Sequence, residues 1–162
     1  MLQLGNQFSF MIAAVGLGLL LLFALWRWRK AQALLRVGVF VWYIFGVLLM
    51  SVLLRYPANG DVQSVAQVEQ ALANGRPTLV VLYSNYCLAC MASLPAVRDL
   101  TPQLAAEGID SLLIDIHNPP GDQLRERFGL SMTPTYVLYD ASGAERLRSS
   151  STPDLAGILS QL

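Results

Sequence analysis

Apolar residues follow two regimes along the chain. In the first third they are continuous: residues 8–26 and 37–54 hold no charged side chain, in runs of 19 and 18 residues. Each run matches the roughly 20 helical residues that cross about 30 Å of hydrocarbon. Neither carries the polar stripe of an amphipathic soluble helix, so the pattern predicts two transmembrane helices. Gly16, Gly18, Gly38 and Gly46 fit such helices, where small residues let neighbouring backbones approach closely.

Beyond residue 57 the apolar positions come in short bursts between turn residues. "SVAQVEQALANG" (64–75) has helical spacing and stops at Asn-Gly, while "PTLVVLYS" (77–84) and "DSLLIDIH" (110–117) read as buried strands. Residues 87–107 return to helical spacing, interrupted by Pro95 and closed by Gly108. "PGDQLRERFG" (120–129) is a short helix, "TPTYVLYD" (133–140) a third strand and "ERLRSS" (145–150) a fourth. "TPDLAGILSQL" (152–162) ends the series as a helix capped by Thr152 or Asp154. This order predicts an α/β domain over residues 57–162, with a central mixed sheet flanked by helices. Strand-helix-strand crossovers give parallel strands, and the "DASG" turn gives an antiparallel pair. The linker "YPANGDVQ" (56–63) separates this domain from the apolar hairpin of residues 1–56.

Charge sets the expected orientation. The connector "RWRKAQALLR" (27–36) holds Arg27, Arg29, Lys30 and Arg36, and the residues before the first run hold no basic side chain. Short basic loops stay on the cytoplasmic side, so both termini and the second domain are expected outside the cytoplasm. The setting is a two-pass plasma membrane of bacterial type, with Trp26, Trp28 and Tyr56 at its interfaces. A cleaved signal peptide would need a basic start and a small-residue cleavage site, whereas the first run ends in "LWRWR". From residue 57 onward eleven acidic residues stand against six Arg, which argues against a nucleic-acid partner.

Both cysteines lie in "YSNYCLACMASLP" (83–95), after a strand and at the start of a helix. Unpaired N–H groups and the positive end of the helix dipole there favour a thiolate at Cys87, the attacking species in disulfide exchange. Cys90, one turn further in, is expected to be the more buried partner and Cys87 the exposed nucleophile. Residues three apart on a helix lie about 5 to 6 Å apart, within the span a disulfide bridges. The spacing alone leaves three readings open: a redox pair, half of a metal site, or two small apolar residues.

The flanking residues narrow the choice. "TLVVLYS" precedes "CLAC", Pro95 follows Cys90 by five residues, "RFGLSMTPTYVLYD" joins a short helix to a Thr-Pro and a strand, and "ASGAE" forms a final turn. In that order, over about 100 residues, they resemble the thioredoxin family. The resemblance implies a thioredoxin-like fold, a catalytic pair Cys87 and Cys90, and a cis bond between Thr133 and Pro134. It implies a substrate surface of Tyr86, Thr133 and Pro134. It also implies thiol-disulfide exchange with protein thiol or disulfide substrates, needing no diffusible cofactor and no metal. Tethered members of the family often act as dedicated reductants, drawing on a membrane electron-donor protein. This chain departs from the family pattern in three places. Tyr86 replaces the usual Trp, Leu88-Ala89 replaces Gly-Pro, and Val81 stands where cytoplasmic members hold a buried Asp. Asp115 is the candidate proton acceptor in its place. The alternative is a non-catalytic or copper-binding module using Cys87, Cys90 and His117, the chain's single histidine; a zinc site would need two further ligands.

Overall fold

The computed structural model of the chain describes residues 6–27, 33–53, 62 and 64–162. Two helices come first, α1 (Ser9–Arg27) and α2 (Ala33–Leu53). Their apolar windows, of mean hydropathy 2.3 and 2.0, lie outside the buried core apart from Gly18, and both are long and apolar enough to cross a membrane. Helix α2 starts before the uncharged run because Ala, Leu and Arg are good helix formers, so a charge at Arg36 ends the apolar stretch without ending the helix. Tyr43 joins the two helices by donating its hydroxyl to the Ala14 carbonyl. A Cβ at Gly18 would lie 3.3 Å from the same ring, whereas Gly16, Gly38 and Gly46 face nothing within 4 Å. Close approach is therefore confined to Gly18. The expectations for Trp28, Arg29, Lys30 and Tyr56, and for most of the linker, fall outside the described residues.

The second domain is built on β1 (Thr78–Tyr83), buried at all six positions. It pairs in parallel with β2 (Asp110–Asp115) and antiparallel with β3 (Thr135–Tyr139), and β3 pairs antiparallel with β4 (Glu145–Ser149), giving the order β2-β1-β3-β4. Side chains alternate across a strand, so β1 serves two cores at once. Leu79, Val81 and Tyr83 pack with Leu94, Val97, Leu100 and Leu104 of α4 (Leu88–Ala106) and with Ile158 of α6 (Leu155–Leu159). Val80 and Leu82 pack with Val68 of α3 (Val65–Leu72) and with Leu124 of α5 (Gly121–Arg127). A strand covered on both faces must be apolar throughout, which is why "TLVVLY" lacks alternation.

Local chemistry sets the helix ends. Ser64 and Gln67 form a reciprocal capping box at the start of α3. Asp154, one of the two residues expected at the cap of α6, accepts the Gly157 N–H at 2.9 Å. Helix α4 runs through Pro95 and Pro102 and stops at Gly108, whose φ of +74° an L side chain rarely adopts.

The second crossover departs from the parallel expectation: β3 runs against β1 and β2. The connection through the seven-residue α5 packs Gly121 back on the Asp115 carbonyl, so β3 starts at the end where β1 and β2 finish, with Thr135 opposite Leu82. Three segments therefore gather at one edge, at residues 84–87, 115–117 and 133–134.

The approach of α5 to that edge is tight. A Cβ at Gly121 would lie 1.9 Å from the Asp115 carbonyl oxygen, with no flexible side chain to yield. Gly121→Ala is expected to cost about 1–3 kcal/mol through overpacking. Thermal unfolding of the oxidised chain should show a lowered Tm, and an unchanged Tm would disprove the close approach.

Candidate active site

The turn after β1 is closed by Ser84. Its hydroxyl accepts the Tyr86 N–H at 3.1 Å and its carbonyl accepts the Cys87 N–H at 3.2 Å. This turn sets Cys87 at the N-cap of α4, in extended backbone, with its sulfur accepting the Cys90 N–H at 3.4 Å. A sulfur here fills the role that a Ser or Asp oxygen fills at other helix starts. On its other side the Cys87 sulfur, when protonated, donates to the Thr133 carbonyl at 3.3 Å. The Thr133–Pro134 peptide is cis, and so is Pro119–Pro120, which the sequence pattern did not single out. Both cysteines are free thiols.

These contacts pull the two thiols apart in acidity. Hydrogen bonding from Cys90 holds the Cys87 pKa down at about 5 against the cost of burial, with the backbone N–H groups of Cys90 and Ala89 helping. Cys90 is pushed up, first by its bond to Cys87, then by burial and by the Cys87 charge. One sulfur is a thiolate at neutral pH and the other keeps its proton.

Exposure departs from expectation. Cys87 has 0% of its surface accessible, as deeply covered as Cys90 at 2%. Bonded to the residues around Cys87 are residues 6–10, which run into the first turn of α1. Asn6 Oδ1 accepts the Thr133 N–H at 2.7 Å and the Thr133 hydroxyl at 3.1 Å. The Gln7 carbonyl accepts the Ser84 hydroxyl at 3.0 Å. Ser9 Oγ accepts the Leu88 N–H at 2.9 Å, and the Phe10 N–H donates to the Tyr86 carbonyl at 3.1 Å. Phe8 stacks on Tyr86 at 5.7 Å and leans on His117 at 5.0 Å. Sequence reading placed none of these residues at the site. The one signal was the polar "NQFS" set directly against an apolar run, which reads as a tail.

The remaining candidates take defined places. Tyr86 lies beside Cys87, and Thr133 and Pro134 lie across from it. Asp115 is buried at 4% exposure, and its carboxylate is taken up by Asn85 at 3.1 Å, Asn118 at 2.7 Å and the His117 N–H at 3.1 Å. The group that senses both Asp115 and Cys90 is Tyr83, whose hydroxyl is pushed up by burial and then by those two charges. The His117 ring meets Phe8 and Tyr86, its Nε2 is buried with no hydrogen-bond partner among the described residues, and burial lowers its pKa.

The fold resembles proteins of known structure. The thioredoxin of Fasciola hepatica superposes with a TM-score of 0.53 at 18% identity, covering 61% of this chain and 95% of that one. The thioredoxin of Trypanosoma brucei brucei gives 0.50 at 18% identity, covering 59% and 80%. Among curated proteins, the chloroplast thioredoxin-like protein HCF164 of Arabidopsis thaliana is 28% identical over 82 residues, 51% of this chain and 31% of that protein. Its counterpart in Oryza sativa subsp. japonica is 29% identical over 77 residues, 48% and 29%. The chain thus matches less than a third of the length of either curated relative. No family model matches it.

The lowered Cys87 pKa has a direct readout in the reduced protein. Depression means that the thiolate persists down to about pH 5, so the iodoacetamide rate should fall tenfold per unit below that and be flat above about pH 6. An ordinary cysteine, with pKa about 8.5, would still be rising at pH 8. A midpoint at pH 8 or above would refute the assigned hydrogen bonding.

Proposed function

We propose that this chain, a thioredoxin-like protein by its fold and its curated relatives, is a membrane-tethered thiol-disulfide oxidoreductase. Its substrates are proteins outside the cytoplasm, and it acts as their reductant. One observation carries the reaction type: two free thiols one helical turn apart, one held as a thiolate by the other. Helices α1 and α2 support the tether by length and composition, and the basic connector supports the orientation.

The chemistry follows from the coupling of the thiols. The Cys87 thiolate attacks a substrate disulfide, forming a mixed disulfide and releasing one substrate thiolate. Cys87 then no longer carries a charge or accepts a hydrogen bond from Cys90. Two causes that hold the Cys90 proton disappear together, leaving burial alone. Cys90 loses its proton and attacks the Cys87 sulfur, the second substrate thiolate leaves, and the Cys87–Cys90 disulfide remains. Two electrons have passed to the substrate. The cycle closes when a membrane dithiol protein returns two electrons to that disulfide. Tyr86, Thr133 and Pro134 form the surface beside the sulfur, and Asp115 is the candidate acceptor for the Cys90 proton.

A second direction rests on the thiolate itself. Lowering a thiol from 9 to about 5 stabilises the dithiol at pH 7 by about two powers of ten. That makes the pair about 60 mV more oxidising than an unperturbed one. The same site run backwards is a disulfide donor.

Insulin reduction with Cys87→Ser and Cys90→Ser tests the reaction. Cys87→Ser should abolish it, and Cys90→Ser should stall as a mixed disulfide visible on a non-reducing gel. Wild-type rates in both variants would end the oxidoreductase reading. The reduction potential fixes the direction: a value near about −270 mV supports the reductant, and one near about −120 mV the donor.

A further inference from the structure

The nucleophile of an exchange reaction must meet a sulfur on another protein, yet Cys87 is fully covered. Residues 6–10 bond to the residue on each side of it, Tyr86 and Leu88, and to Thr133, whose carbonyl receives its thiol. The N–H and C=O groups so occupied are the ones an extended substrate segment would need in order to lie beside the sulfur. We propose that residues 6–10 form an intramolecular strap that occupies the substrate's place over Cys87, and that a protein substrate reaches the sulfur only by displacing it.

The geometry fits a strap that opens. Its anchors are four hydrogen bonds that involve a side chain, one backbone hydrogen bond and the contacts of Phe8 with two rings, each of modest net strength in water. Gln7 is buried at 3% exposure, so the segment is seated against the domain and not merely near it. The groups it releases, the N–H of Thr133 and of Leu88, can pass to a substrate strand or to water. Phe8 also covers the His117 ring, so opening brings the unpartnered Nε2 to solvent.

The inference rests on the redox reading for its biological sense, but access to the sulfur can be measured apart from activity. The full chain, reduced and in detergent, is alkylated with iodoacetamide at pH 8, where the thiolate is fully formed and the rate reports access. The wild-type rate should be at least tenfold below that of a short unstructured cysteine peptide. N6A/S9A, which removes the acceptors for Thr133 and Leu88, should react about tenfold faster than wild type. Should that variant fold poorly, Phe8→Ala keeps those hydrogen bonds, removes the ring from Tyr86 and His117, and should also accelerate the reaction. Rates within twofold of wild type in both variants, with normal insulin reduction, overturn the strap and keep the redox reading. Faster alkylation without disulfide exchange overturns the redox reading and keeps the strap.

Discussion

The sulfur of Cys87 closes the N-terminus of α4, and the rest of the site is arranged around that contact. A neutral thiol is a weak acceptor and a poor cap, whereas a thiolate is a strong one. The helix start is thus best satisfied when Cys87 is ionised, and the fold itself favours the reactive form. The same contact explains the asymmetry of the pair, because the sulfur that accepts the Cys90 N–H also accepts the Cys90 thiol proton. Any change that moves β1 relative to α4 alters both thiols together.

Holding that contact in place needs a central strand with no freedom. Strand β1 is pinned on each side, with Val81 opposite Leu113 of β2 and Tyr136 of β3, and both of its faces are packed. Its end therefore delivers Ser84 and Cys87 to a fixed position. The connection through α5 completes the arrangement, since it packs Gly121 on Asp115 at this same edge and starts β3 there, with Thr133 beside the sulfur.

The sequence disclosed the parts governed by short-range rules. "TLVVLY" announced a strand buried on both faces, Gly108 a helix stop, and "CLAC" before Pro95 two thiols at a helix start. Strand polarity was less legible, because β3's direction depends on where the α5 connection packs against the sheet, a matter of tertiary contact and not of local pattern. The capping box at Ser64 was readable from Ser and Gln three apart but is easily passed over in a mixed polar stretch. The strap was hidden for a stronger reason. Asn6 and Thr133 are 127 residues apart in sequence, and a polar "NQFS" before an apolar run carries no local mark of its partner. The expectation that Cys87 would be exposed failed for the same cause, since it considered only the domain that contains the cysteines.

On the proposed tether, the strap also gives α1 and α2 a bearing on the chemistry beyond attachment. It is continuous with α1 and belongs to the same chain as the site, so it meets the sulfur intramolecularly. A dilute soluble substrate competes poorly against such a neighbour. On the proposed tether, a substrate held in the same membrane with its disulfide close to the start of α1 would be concentrated beside the strap and would displace it more readily than a dilute soluble one.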